Sequence, residues 1–79
     1  MSSIETIRGA LAPHALATVP EDENASLFDL GVIDSFGLTE VIAELEGRFG
    51  VKVPDAELVP KHFETIAKMV AYFDARKSA

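Results

Sequence analysis

One serine in this sequence stands where a modifying enzyme could reach it. Ser35 follows Asp34 at the start of the longest amphipathic segment, which predicts that it lies in the first turn of a helix. The unpaired N–H groups and positive dipole end of a helix N-terminus tolerate a phosphate ester well. No base lies near Ser35 in the sequence, so its hydroxyl would be a poor nucleophile unaided. The position therefore favours a residue that another enzyme modifies over one that catalyses.

The remaining reactive side chains form no conventional catalytic set. His14 and His62 lie in different segments close to prolines, and we interpret both as surface or loop histidines. The chain has no cysteine, which excludes disulfides and thiolate metal sites. Glu40 and Glu44 are four residues apart on a predicted helix, and carboxylates at that spacing without added histidines indicate a solvated acidic face. We therefore expect neither a catalytic residue nor a metal site.

The helix that would position Ser35 is the clearest element of the chain. Asp34 is a good N-cap, and Gly50 is a good stop at the other end. The apolar stripe of this helix has helical spacing and consists of Leu38, Val41, Ile42, Leu45 and Phe49. The opposite side is small and acidic with one aromatic, and it carries Phe36, Glu40, Ala43 and Gly47, flanked by Glu44 and Glu46. We refer to these last six residues as the acidic face.

Two further long helices are predicted around this one. The first begins near Ser3, which can cap it, and Pro13 either ends it near Ala12 or kinks it so that it continues to about Ala17. Thr65 is expected to cap the last helix. The apolar stripe of that helix consists of Ile66, Met69, Val70 and Phe73.

The connections are predicted to be one functional loop, one extended segment and one short turn. The loop from Thr18 to Asp34 is long for so small a domain, and such loops tend to carry function. Its apolar residues should dock onto the helices, with Gly31 supplying a turn. Val51–Pro54 is expected to be extended, and Pro60 limits the next helix to a short turn ending near Phe63. The sum is an all-α bundle of three longer helices and one short turn.

The composition indicates one small acidic domain. Residues 1–79 leave no room for a second domain, and a 48% apolar share suits a folded chain. Thirteen acidic residues against seven basic ones give a formal net charge of −6. Such a surface repels nucleic acid and anionic membranes and attracts basic patches on other proteins, although acidity also serves simply to keep a small domain soluble.

The ends of the chain favour a freestanding, cytoplasmic protein, and we expect it to be a monomer. The first residues lack the basic start and apolar run of a signal peptide, and no segment has transmembrane length. Met1, an early helix cap and a short polar tail favour a freestanding protein over a domain excised from a larger synthetase.

Most of the chain resembles acyl and peptidyl carrier proteins. Leu27 to Phe36, with the sequence Leu-Phe-Asp-Leu-Gly-Val-Ile-Asp-Ser-Phe, is similar to their phosphopantetheine attachment motif, in which an Asp-Ser pair follows a glycine and apolar residues. Residues 38–46 resemble the family's second, partner-recognition helix, and residues 49–54 resemble the segment that closes it. The resemblance extends from about Ile4 to Phe73 and implies the small four-helix bundle of the acyl-carrier type, with a long loop between helices 1 and 2.

The resemblance also implies a cofactor and partners. A phosphopantetheinyl transferase would move 4′-phosphopantetheine from coenzyme A onto Ser35 and release the nucleotide. Asp34 would support this transfer, as the family's aspartate does in the magnesium-dependent reaction. The terminal thiol would then hold acyl, aminoacyl or peptidyl groups as thioesters. A loading ligase or acyltransferase and downstream enzymes would supply the chemistry, with basic patches that dock on the acidic face.

Two positions depart from many fatty-acid carriers. Phe36 stands where those proteins have leucine, and Gly37 stands where they have an acidic residue. We interpret both as favouring a specialised polyketide, nonribosomal peptide or aminoacyl-transfer pathway. Gly37 costs helix stability, about 1 kcal/mol against alanine. Phe36 either contacts the arm or a partner, or folds back onto Leu27 and Phe28. The alternative function is that of an acidic helical interaction module that is never modified.

Overall fold

The fold is described for residues 2–77 by a computed structural model, and the expectations that concern Met1, Ser78 and Ala79 lie outside this range. Within it the regular structure is helical throughout, which confirms the all-α prediction. The α-helices are α1 (Ser3–Leu11), α2 (Ser35–Phe49), α3 (Pro60–Phe63) and α4 (Ile66–Lys77). Single 3₁₀ turns lie at Ala12–His14 and Asp55–Glu57. No helix in the described part of the chain combines the length and apolar character needed to cross a membrane.

The start of α1 differs from its prediction by one residue. Ser2 is the N-cap, because its hydroxyl accepts the N–H of Glu5 at 3.4 Å. The prediction of Ser3 as the cap is therefore wrong. Ser3 is instead the first helical residue, is buried, and donates its hydroxyl to the Asp74 carboxylate on α4. This contact joins the first and last helices.

The end of α1 settles the two alternatives left by Pro13. The α-helix stops at Leu11, and one 3₁₀ turn continues it as far as His14. Ala15 is already extended, with ψ of 131°, so the helix does not reach Ala17. Pro13 fits this turn because its fixed φ suits helical geometry and its missing N–H is not needed there.

The core combines the predicted stripes of the helices with apolar residues of the long loop. Its fully buried members with the largest side chains are Phe63, Phe73, Ile7, Leu11, Leu27, Leu45, Ile66, Met69, Val32, Val41 and Val53. Phe49, at the end of the α2 stripe, is half-buried and stacks on Phe73 with ring centroids 5.1 Å apart. Burial of this kind contributes about 25 cal/mol per Å² of apolar surface and holds the helices together.

The long loop is docked onto the helices through Leu27, Val32 and Ile33, as predicted, but the prediction is wrong for Leu30, which is 51% exposed. Leu27 is fully buried; its N–H donates to the Glu64 carbonyl at 2.8 Å, and its own carbonyl accepts from Val32 N–H at 2.9 Å. Gly31 has φ of 68°, which reverses the chain between these two residues at little steric cost. Leu16 N–H donates to the Val32 carbonyl at 2.7 Å and ties the two halves of the loop together. The loop therefore delivers the chain to α2 along a fixed path.

Candidate functional site

The first turn of α2 is set by Asp34. This residue has extended backbone geometry, with φ of −104° and ψ of 177°. Its side-chain oxygen Oδ1 accepts the N–H of Gly37 at 2.7 Å, and its carbonyl accepts the N–H of Leu38 at 2.9 Å. The side chain thus satisfies one of the N–H groups that a helix start leaves unpaired. As predicted, α2 begins at Ser35 with Asp34 as its N-cap.

Ser35 lies on the outside of the molecule. Val32 and Ile33 are buried, and the chain then leaves the core so that Asp34, Ser35 and Phe36 are all exposed. The Ser35 carbonyl accepts the hydroxyl of Thr39 at 3.1 Å. The Ser35 hydroxyl itself makes no hydrogen bond with another residue of the described range 2–77. It is therefore accessible at the positive end of a 15-residue helix.

Gly37 has a steric role that its helix propensity does not show. A Cβ atom at this position would lie 3.0 Å from Cγ1 of Ile33 and 3.3 Å from the capping oxygen Oδ1 of Asp34. A larger residue would press on both the buried side chain and the cap. Replacement of Gly37 would therefore remove a propensity cost of about 1 kcal/mol but introduce steric crowding at the start of α2.

The residues of the acidic face differ in their contacts with the rest of the chain. Phe36 is 75% exposed, so the alternative in which it folds back onto the loop is wrong. Glu40, Ala43 and Gly47 are also exposed, as the helical spacing predicts. Glu46 differs, since its carboxylate accepts the N–H of Val53 at 2.7 Å and so holds the segment that follows α2.

Two of the glutamates on the acidic face have charged neighbours. Glu44 is half-buried and pairs with Arg48 one helical turn later, with a guanidinium nitrogen 2.8 Å from the carboxylate. His14 reaches across from the 3₁₀ turn that follows α1. Its Nδ1 lies 3.6 Å from a Glu40 oxygen and its Nε2 lies 3.9 Å from a Glu44 oxygen. The charge of this face is therefore shared with a residue from another part of the chain.

Sequence reasoning missed both of these neighbours. The Glu44–Arg48 pair has the i, i+4 spacing of helical ion pairs, so the sequence contained the signal. His14 was interpreted as a surface or loop histidine, which its position bears out, but its contact with α2 depends on how α1 and α2 pack. No local pattern predicts that contact.

A second polar cluster lies between α4 and the Asp55–Glu57 turn. Tyr72 donates its hydroxyl to Glu57, and Arg76 lies over the Tyr72 ring and pairs with the same carboxylate. Burial and the hydrogen bond to Glu57 raise the pKa of Tyr72 to about 12, and that hydrogen bond lowers the pKa of Glu57. Neither group changes charge near neutral pH, which suits a structural contact. In residues 2–77 no three His, Cys, Asp or Glu side chains are grouped so that they could hold a metal ion.

Comparison with known proteins gives this geometry a context. Residues 5–73 match the family described as "Phosphopantetheine attachment site". The chain belongs to this family of phosphopantetheine-binding carriers. It is 39% identical over 70 residues to a D-alanyl carrier protein of Streptococcus pyogenes serotype M5 (strain Manfredo), a match that covers 89% of each chain. It is 37% identical over 67 residues to a D-alanyl carrier protein of Streptococcus suis (strain 05ZYH33), with 85% of each chain covered.

The structure fits the cofactor of a phosphopantetheine-binding carrier. 4′-Phosphopantetheine is attached covalently through a phosphate, and α2 offers an exposed hydroxyl at a helix N-terminus, where a phosphate is favoured. The chain is therefore a carrier of acyl or aminoacyl groups and is not an enzyme. This role implies contact with a transferase that installs the arm and with a ligase or acyltransferase that loads it.

Substitution of Asp34 tests its role as the N-cap of α2. We predict that Asp34→Ala lowers the free energy of unfolding by about 1 kcal/mol, because the N–H of Gly37 loses its partner. Asp34→Asn keeps a capping oxygen and should change stability by only a few tenths of a kcal/mol. Urea unfolding followed by circular dichroism measures both. Equal losses in the two variants would contradict the capping role.

Proposed function

We propose that Ser35 is the residue that receives the phosphopantetheine arm. The observation that carries this proposal is the exposure of its hydroxyl at the capped start of α2, within the range that matches the attachment family. Buried Ser3 lies in α1, and the Thr39 hydroxyl is already donated to a backbone carbonyl. Ser35 combines accessibility, a helix N-terminus and an unengaged hydroxyl.

The transfer forms one phosphodiester bond, to Ser35, and breaks the phosphoanhydride bond that joins the two phosphates of coenzyme A. The Ser35 oxygen attacks the phosphorus that links pantetheine to the nucleotide of coenzyme A, the nucleotide leaves, and the serine proton passes to a base on the transferase. The base is expected to come from the transferase because, among residues 2–77, none contacts the Ser35 hydroxyl to remove its proton. Asp34 supports the step in two ways, by holding the turn that presents Ser35 and by placing a carboxylate next to the magnesium-dependent reaction.

The acidic face of α2 is the surface that partner enzymes approach. Phe36 offers an exposed aromatic beside Ser35, and Glu40 offers an exposed carboxylate one turn further along. Exposed charges of this kind speed encounters with basic patches and make them sensitive to salt. Because Ala43 and Gly47 are small, a partner enzyme can approach the middle of the face closely, and Glu44 lies at its border. Glu46 contributes to the same surface from its edge while it holds Val53.

The cargo we infer is an aminoacyl group, with D-alanine as the first candidate. The two relatives named above, at 39% and 37% identity, are D-alanyl carrier proteins. The exposed aromatic Phe36 and the small Gly37 also differ from the fatty-acid carrier pattern, which favours a specialised pathway. A ligase would activate the amino acid as an adenylate, and the thiol would displace AMP to give the thioester. We further propose that the chain acts as a single-domain, monomeric carrier in the cytoplasm.

Replacement of the serine tests the attachment site. Incubation with coenzyme A, Mg²⁺ and a broad-specificity phosphopantetheinyl transferase should add the mass of one arm to the native chain and none to Ser35→Ala. Thr39→Ala is the matched control, since it removes a neighbouring exposed hydroxyl on α2 and should leave the mass gain intact. Because Ser35 is exposed, its replacement by alanine should change stability by less than about 0.5 kcal/mol. A native chain that gains no mass with several transferases would favour the unmodified interaction module.

Loading of the modified chain tests the cargo. With ATP and a D-alanine-activating ligase, we expect the arm-bearing protein to gain the mass of one alanyl group and to lose it on treatment with hydroxylamine, which cleaves thioesters. L-Alanine with the same ligase, and malonyl-coenzyme A with an acyltransferase, are the comparisons. Efficient loading by malonyl-coenzyme A but not by D-alanine would move the carrier to a polyketide-type pathway and overturn the proposed cargo.

A further inference from the structure

His14 is held against the acidic face by the backbone that carries it. It is the last residue of the 3₁₀ turn, in which Pro13 fixes one φ angle and Ala15 N–H donates to the Ala12 carbonyl at 3.3 Å. The next residue, Leu16, is tied to the Val32 carbonyl. The imidazole is only 27% exposed, although its turn lies at the surface. Both ring nitrogens point toward α2 carboxylates.

The distances indicate an electrostatic contact rather than hydrogen bonds. Nδ1 lies 3.6 Å from Glu40 and Nε2 lies 3.9 Å from Glu44, both beyond ordinary hydrogen-bond length but within ion-pair range. The contact therefore gains strength only when the imidazole is protonated. Histidine side chains generally change charge between pH 5 and 8.

The charged groups of α1 and α2, the two helices packed against this turn, already have partners. On α2, Arg48 pairs with Glu44, so Glu40 has no cationic neighbour other than His14 among the ion pairs of residues 2–77. On α1, Arg8 donates to the carbonyls of Pro20 and Glu21, and Glu5 accepts the hydroxyl of Ser2. When the His14 imidazole is neutral, the Glu40 and Glu44 carboxylates and the Arg48 guanidinium together carry one net negative charge. Protonation of His14 removes it.

We propose that His14 is a proton-controlled mask on the acidic face, which lowers the attraction of Glu40 for basic partner surfaces as the pH falls. This inference rests on the proposed function, because it concerns docking of the enzymes that serve the carrier. The partner that fits is a protein surface that presents a lysine or arginine to Glu40. Such a cation takes the place of the imidazolium, so docking at low pH must displace a proton from His14 or accept a weaker contact.

The proposal makes Glu40 the carboxylate that decides docking. Glu44 is paired with Arg48 whether His14 is protonated or neutral, and Glu46 accepts the N–H of Val53. Of the three glutamates on the face, Glu40 is the one whose availability His14 controls. When Glu40 is replaced by the neutral glutamine, a substitution at His14 should therefore have no pH-dependent effect on docking.

The experiment measures kcat/KM of arm transfer by one phosphopantetheinyl transferase at pH 6.0 and pH 8.0. His14→Gln is compared with the native chain at each pH, so that the enzyme's own pH dependence cancels in the ratio. We expect the ratio, His14→Gln over native, to be about threefold larger at pH 6.0 than at pH 8.0, the size of an exposed charge interaction. The same comparison in the Glu40→Gln background should show equal ratios at the two pH values.

His62→Gln is the matched control, because His62 contacts the Glu57 carbonyl near α3 and makes no contact with the acidic face in residues 2–77. Its ratio should not change with pH. A constant ratio for His14→Gln, or an equal change for His62→Gln, would overturn the proposal.

A second readout keeps this test separate from the proposed function. Fluorescent hexalysine binds acidic surfaces without any modification of Ser35, and its affinity is measured by anisotropy at low ionic strength. The ratio of the two affinities for hexalysine, His14→Gln over native, should be about threefold larger at pH 6.0 than at pH 8.0. If no transferase modifies the native chain, the proposed function fails, and the hexalysine comparison alone decides the role of His14. No difference between the two pH values would refute the mask.

Discussion

The hydrogen bond from Gly37 N–H to the Asp34 carboxylate is the contact on which the functional part of the structure depends. It fixes the residue at which α2 begins, and Ser35 is exposed as the first residue of that helix. Two constraints support this bond. Buried Val32 and Ile33 bring the chain to the surface at a fixed point, and the missing Cβ of Gly37 leaves room for the capping oxygen. A carrier needs its attachment residue accessible to several enzymes, and the helix cap together with the burial of Val32 and Ile33 keeps Ser35 accessible.

The start and end of α2 could be predicted from the sequence because every local signal agreed. Asp34 as cap, an apolar stripe of helical period and Gly50 at the other end all point to the same bounds, and Gly50 has the left-handed φ of 67° expected of such a stop. The cap of α1 was misplaced because adjacent serines offer the same chemistry, and Ser3 was instead used for a contact with Asp74 on α4. A choice of that kind is made by tertiary packing, which a local pattern does not contain.

The acidic face shows the same limit of sequence reasoning. Helical spacing correctly placed Phe36, Glu40 and the two small residues outside, since that placement follows from the period of the helix. Helical spacing does not distinguish the three glutamates from one another. In the structure each has a different neighbour: His14 for Glu40, Arg48 for Glu44 and the Val53 backbone for Glu46. Two of those neighbours come from segments that the fold brings to α2. The charge that a partner meets on this surface is thus set by packing as much as by composition.

The most direct test of the account is to locate the arm within the chain. Peptide mapping by tandem mass spectrometry, after modification by a phosphopantetheinyl transferase, identifies the residue that carries the added mass. We expect the arm on Ser35 alone, in the peptide that contains the start of α2. An arm on Ser26, Thr39 or any other hydroxyl would contradict it, because the capped helix start would then not be what selects the attachment residue.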